Sequence, residues 1–180
     1  VIMAGDILTL ADAMKKVSVM STAPADMTKP TITELEAGID AALRIVKSDF
    51  ALGPTGSDTV DEVPLAVKGN GKAWGPSNYD GSMSVFRYFD PTTGAPETGG
   101  AGTVGDALFQ AVKTKGTTLW IAVRETSKDS TEAWAEDDEC QVYEVMTDDP
   151  QNDDGTGYIK KIVKLSVLSA ELDATAAAAA

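Results

Sequence analysis

At 180 residues and 43% apolar content the chain is long enough to bury a core, which excludes wholesale disorder and points to one domain with or without appendages. Its 28 acidic residues outnumber 15 basic ones for a net charge of −13, a balance that repels phosphates and argues against a nucleic-acid-gripping surface. With no histidine and one cysteine, Cys140, the chain lacks the usual triad base and any internal disulfide, so Cys140 reads as a buried structural thiol.

The charge is uneven. Residues 91–180 carry 16 acids against 7 bases, and between Glu125 and Asp154 twelve acids face the single Lys128 and no other lysine. No apolar run of about 18 residues and no basic stretch ahead of an apolar core occurs, so the reading is of a soluble protein made in a cytoplasm, with no membrane span and no signal peptide.

The first 25 residues support two readings. Ile7, Leu8, Ala11, Met14 and Lys15 suit a short helix after Asp6, whereas Val17, Val19 and Met20 suit an extended arm able to dock on a neighbour. From Ala25 to Asp40, Pro30 forbids a helix across it, Thr33 is expected to cap only a brief turn, and Gly38 ends the segment. Leu43 to Leu52 predicts a strand pair bent near Ser48. Gly53 to Gly81 is a glycine- and proline-rich connection, interrupted by one short strand at Val60 to Val67 that Pro64 confines to an edge. Ser82 to Phe89 alternates as a strand, and residues 91–102 form a second glycine-rich connection.

Thr103 to Thr126 reads as a helix turning straight into a buried strand. Val104, Leu108, Ala111 and Val112 make one helical stripe, Thr103 can cap it with Asp106 in the first turn, and Gly116 stops it. Leu119, Ile121 and Val123 then face one side, with Trp120, Ala122 and Arg124 on the other, so bulk on both faces predicts a central strand. An acidic loop carrying Trp134 follows, then a strand at Cys140 to Met146, a hairpin tip at Asp148 to Gly157, and a long strand over Tyr158 to Leu172. The closing alanines carry no signal. The sum is a mainly β fold, a β-sandwich or barrel of about seven strands with one flanking α-helix over about 104–115.

Motifs that could carry chemistry are weak. Gly100 to Gly105 matches G-x-G-x-x-G and Glu125 stands where a ribose-binding acid would lie, but Pro91 to Gly99 is polar and proline-broken where a buried strand is required. Asp148, Asp149, Asn152, Asp153 and Asp154 could offer oxygen ligands to Ca²⁺, yet the EF-hand spacing fails and the twelfth-position glutamate is missing. The expectation is no catalytic residue, no metal site and no cofactor.

Two sets of features together resemble a known family. Ala25-Asp26-Met27-Thr28-Lys29-Pro30-Thr31 followed by Glu34-Leu35-Glu36-Ala37-Gly38-Ile39-Asp40 is similar to the opening of tail tube (major tail) proteins of actinobacterial phages, which are long-tailed and non-contractile. The order of strands, one glycine-terminated helix and a final long strand adds to the likeness, which covers most of residues 25–172. The resemblance implies an N-terminal arm over 1–25, a tail tube β-sandwich domain over 26–172 and a C-terminal tail over 173–180. It further implies a structural, non-enzymatic virion protein whose partners are itself, in stacked hexameric rings, and other tail proteins such as tape measure, tail terminator and distal tail. Genomic DNA would pass through the lumen without specific binding, no membrane would be involved, and assembly would take place in the host cytoplasm. The alternative is a monomeric β-sandwich binding module with an acidic, Ca²⁺-binding rim; microscopy of rings or tubes separates the two.

Overall fold

The computed structural model describes residues 9–66, 68–69, 71–99 and 104–179. In chain order the elements are β1 (Lys15–Met20), α1 (Ile32–Ala37), β2 (Ile39–Asp40), a 3-10 turn at Lys47–Asp49, β3 (Ala51–Pro54), β4 (Thr59–Val60), β5 (Ala73–Trp74) and β6 (Tyr79–Phe86). There follow α2 (Ala107–Val112), β7 (Thr118–Glu125), β8 (Glu139–Thr147), β9 (Gln151–Asn152) and β10 (Lys160–Thr175). The fold is thus mainly β, as expected, with ten described strands rather than about seven because short pairings at β2, β4, β5 and β9 add to the long ones.

One antiparallel sheet runs in the order β2-β1-β7-β8-β10-β6-β3, with β9 pairing the start of β10. Its period-2 alternation puts two different surfaces on β7. Leu119, Ile121 and Val123 enter a core shared with Val17, Val19, Met83, Val85, Tyr143, Val145, Val163 and Leu165, while Ala122 and Trp120 join a second cluster on the opposite face. Strand β7 lies between β1 and β8, confirming the central position that bulk on both faces predicts.

One segment links the strands next to the two ends of this order. Ala41 N–H donates to the Val17 carbonyl of β1 (2.9 Å), and only a few residues later Phe86 N–H donates to Arg44 O and Val46 N–H to Ser84 O, both 2.9 Å, on β6. Residues 41–46 therefore bridge β1 to β6 and curl the sheet towards a barrel, which leaves few unpaired edges. This differs from the strand pair expected over Leu43 to Leu52: Ile45 makes a lone bridge to Val85, the chain turns through 3-10 geometry at Lys47–Asp49, and only Ala51–Pro54 is a strand.

Several other local expectations change for identifiable reasons. The helix expected over 104–115 is limited to Ala107–Val112, because Gly105 takes φ +74 and cannot be helical, and because Gly116 N–H is drawn to the Thr147 carbonyl at the end of β8 (2.8 Å). Its Leu108, Phe109 and Val112 are the face it buries in the core. Thr103 as its cap lies outside the described residues, and the Asp106 carboxylate serves other groups. Among the described residues of the Val60 to Val67 stretch only Val60 belongs to a strand, within β4 paired to β5. Of the two readings of the N-terminal stretch, the extended one forms over Lys15–Met20, paired with β7 of the same chain; Asp6, Ile7 and Leu8 of the helical reading lie outside the described residues.

A second short helix, α1, also packs on the sheet, with Thr31 and not Thr33 as its cap. Thr31 Oγ1 accepts from Glu34 N–H (3.3 Å) while Glu34 Oε2 accepts from Thr31 N–H (2.9 Å), a capping box worth about 1 kcal/mol. Leu35 is buried beneath it, and a Cβ at Gly38 would stand 2.5 Å from Ser18 Oγ, so only glycine lets the helix end against β1. The terminal alanines are not idle: Ala174 and Ala176 are buried with Leu35, Trp134 and Met20, and Ala177 N–H donates to Pro30 O (2.9 Å) while its carbonyl accepts from Ile32 N–H (3.0 Å). The residues that carry the family resemblance thus form a latch between β1 and the end of the chain.

Candidate assembly surfaces

The 126–138 loop that joins β7 to β8 is held from within. Arg124, fully buried at the end of β7, donates to the carbonyls of Ala133 (2.9 Å), Asp129 (2.9 Å) and Glu132 (3.3 Å) and to Asp138 Oδ2 (2.9 Å). Its guanidinium also lies 5.4 Å from the centre of the buried Trp134 ring, and Lys128 supplies a second cation to Asp138. Burial alone would raise the Asp138 pKa, but Lys128, the Ala135 N–H and Arg124 together hold it below its ordinary 3.8. Trp134 N–H donates to Glu36 of α1 (2.7 Å), which ties the loop to the latch.

What this fixed loop shows to solvent is negative charge. Glu132, Glu136, Asp137 and Glu139 are exposed and make no ion pair among the described residues. The opposite end of the β7–β8 pair differs: Asp148 (2.9 Å) and Asp149 (3.6 Å) share Lys115, and Asp153 meets Lys160 at 2.8 Å. One end of the sheet is thus strongly acidic and the other close to neutral.

A second ion pair anchors α2. Asp106, buried, accepts from Arg87 Nε (2.9 Å) and Nη2 (3.0 Å), Tyr88 N–H (3.0 Å) and Gln110 Nε2 (2.8 Å). Its pKa would be raised by burial, yet these donors leave it below 3.8. The Arg87 guanidinium is itself sandwiched between Phe109 (3.9 Å) and Phe89 (4.6 Å).

The third feature is a ribbon. Beyond β3 and β6 the two chains stay paired through Thr55 N–H to Asn78 O (2.9 Å), Asp58 N–H to Pro76 O (3.2 Å) and Gly75 N–H to Asp58 O (2.7 Å), leading to the small β4–β5 sheet. Val60, Val63, Leu65 and Trp74 on this ribbon are all exposed, Leu65 completely and Trp74 at 80%. Four exposed apolar side chains within one short stretch of chain make it a candidate interaction surface.

The weak chemical motifs end elsewhere. Gly100, Ala101, Gly102 and Thr103 of the glycine pattern lie outside the described residues, the Val104 and Gly105 carbonyls accept from Arg44, and Glu125 pairs with Lys15 at 3.3 Å. The acids of the 148–154 turn are spent on lysines and on local turns, Asp154 accepting from Thr156 N–H (3.0 Å), and no acidic trio placed to hold a metal occurs among the described residues. Cys140 is buried, as its isolation suggests, and burial followed by the nearby Asp138 charge pushes its pKa up to about 11. No described helix is long and apolar enough to cross a membrane. The capping-box spacing Thr31-x-x-Glu34 was the signal that could have revealed α1; nothing in local spacing pairs Arg124 with Asp138.

Comparison with known proteins agrees with this surface-dominated picture. No curated protein matches the chain. A family model described as phage tail tube protein matches residues 3–180, nearly the full length, so the chain belongs to the phage tail tube protein family, whose members are structural parts of the virion tail.

Proposed function

We propose that this chain is the repeating subunit of the tail tube of a long-tailed, non-contractile phage. Copies join as hexameric rings, the rings stack, and the tube conducts DNA during ejection. The observation that carries this reading is the family match across residues 3–180. Two surface features support it. An apolar ribbon projecting from a well-packed barrel needs a partner surface, and a second copy of the chain supplies one. The uncompensated acids of the 126–138 loop repel phosphate, a property suited to a channel that DNA must cross without sticking.

In this reading the role is structural and without catalysis, the tube ends meet other tail proteins such as tape measure, tail terminator and distal tail, and assembly takes place in the host cytoplasm before incorporation in the virion. Negative-stain microscopy of the purified chain tests it. Six-fold rings or tubes are expected, and a protein that stays monomeric at every concentration and salt would favour the binding-module alternative.

A further inference from the structure

The β4–β5 ribbon continues the β3–β6 ladder without a slip in register. Ala51 stands opposite Ser82, Pro54 opposite Tyr79, Thr59 opposite Trp74 and Val60 opposite Ala73, and the backbone bonds of Thr55, Asp58 and Gly75 join the two paired stretches. At about 3.3 Å per residue, Trp74 therefore lies roughly 26 Å along the ribbon from the Ala51–Ser82 pair. Its side chain is 80% exposed, and Leu65 in the connection beyond it is completely so, which means that their own chain covers neither.

The root of the ribbon adjoins an apolar groove. Where residues 41–46 cross from β1 to β6 they leave about 570 Å³, lined in part by Val17, Ala41, Leu43, Ile45 and Phe50, with Val17 and Ala41 as a buried floor and Leu43 exposed at the rim. The volume falls within the roughly 300–1,000 Å³ of sites that enclose several apolar groups. Lys47 at the groove pairs with Asp12 and Lys15 with Glu125, while Lys72 beside the ribbon's Ala73 pairs with Asp61, so no lysine next to either surface calls for a charged partner. Phe50 immediately precedes the ladder and Trp74 stands at its far end, so a chain cannot lay its own Trp74 in its own groove without breaking the pairing between them. Two apolar surfaces that are kept apart within one chain can meet between chains. Such a contact is heterologous, and it repeats from copy to copy into a ring or a filament instead of closing as a pair. We propose that the groove receives the ribbon of a neighbouring copy, Trp74 entering beside Leu43 and Phe50. The docking rests on the self-assembly proposed above and names one contact that holds it.

Trp74 and Leu43 are both exposed in the single chain, so Trp74→Ala and Leu43→Glu should leave its melting temperature unchanged, and each should raise the concentration needed for assembly at least tenfold. Cross-linking locates the contact, with buried Cys140 as a quiet background. Ala73→Cys chains carrying a mass tag are mixed with untagged Ala42→Cys chains, both retaining Trp74 and Leu43, then assembled, imaged and treated with a short bismaleimide. A covalent band of unlike chains is expected, at least tenfold stronger than when exposed Lys164→Cys replaces Ala42→Cys. If Leu43→Glu melts lower, Trp74→Ala and the cross-link decide alone. Assembly of Trp74→Ala at the unsubstituted chain's concentration, or tubes without the unlike-chain band, overturns the docking and leaves the tube reading standing. An unsubstituted chain that stays monomeric at every concentration and salt overturns both.

Discussion

Arg124 shows how one buried charge can organise a surface. The two terminal nitrogens of its guanidinium donate to three carbonyls of the acidic loop and to Asp138, so its role is to hold that loop in one shape. Arg124→Met should cost about 3–5 kcal/mol, since Asp138 and the carbonyls would stay buried with fewer partners, and limited proteolysis should then cut within 126–138 while the native loop resists. Asp106 makes a pH prediction. Its folded pKa lies below the ordinary 3.8, so its contribution is complete above that value and is lost as pH falls through the depressed one. Thermal melts should therefore decline from about pH 5 downward, and Asp106→Asn should melt lower at pH 7 yet show a flatter acid limb. An equal acid slope in both proteins would remove Asp106 from the explanation.

Among the elements, α2 and the β4–β5 ribbon stand at opposite extremes of packing. Leu108 of α2 is fully buried in the barrel core, and Leu108→Ala should cost roughly 2–5 kcal/mol, enough to prevent assembly by unfolding the subunit. A lowered melting point of the unassembled variant checks this. The ribbon between Gly53 and Gly81 has exposed Val60, Val63, Leu65 and Trp74 and owes little to the core. Hydrogen exchange there should be fast in the monomer and protected in the assembled state, because only a neighbour can cover these side chains. Equal exchange in both states would mean that the ribbon takes no part in assembly.

For the whole molecule the decisive quantity is where the net charge of −13 is placed. Exposed acids without an ion pair among the described residues stand together at the β7–β8 turn, whereas at the opposite end of that pair Lys115 and Lys160 offset Asp148, Asp149 and Asp153. If this acidic end faces the DNA path, changing Glu132, Glu136, Asp137 and Glu139 to lysine should leave tubes intact and slow DNA ejection. The delay should shrink as salt rises, since counterions screen the new attraction. Ejection at the original rate in low salt would assign the acids to solubility alone.

Sequence by itself determined the β class, the inner and outer faces of β7, and the buried state of Cys140. Alternation at Leu119, Ile121 and Val123 is a local property that survives any choice of partner strand. It also contained α1, through the capping-box spacing of Thr31 and Glu34. Only tertiary structure decided that residues 41–46 would bridge β1 to β6, that Arg124 would meet Asp138 and the carbonyls of the following loop, and that Ala174 and Ala176 would close the outer core. Such contacts depend on which chain segments the curled sheet brings together, and alanine, with no pattern of its own, acquires meaning only from the space left for it.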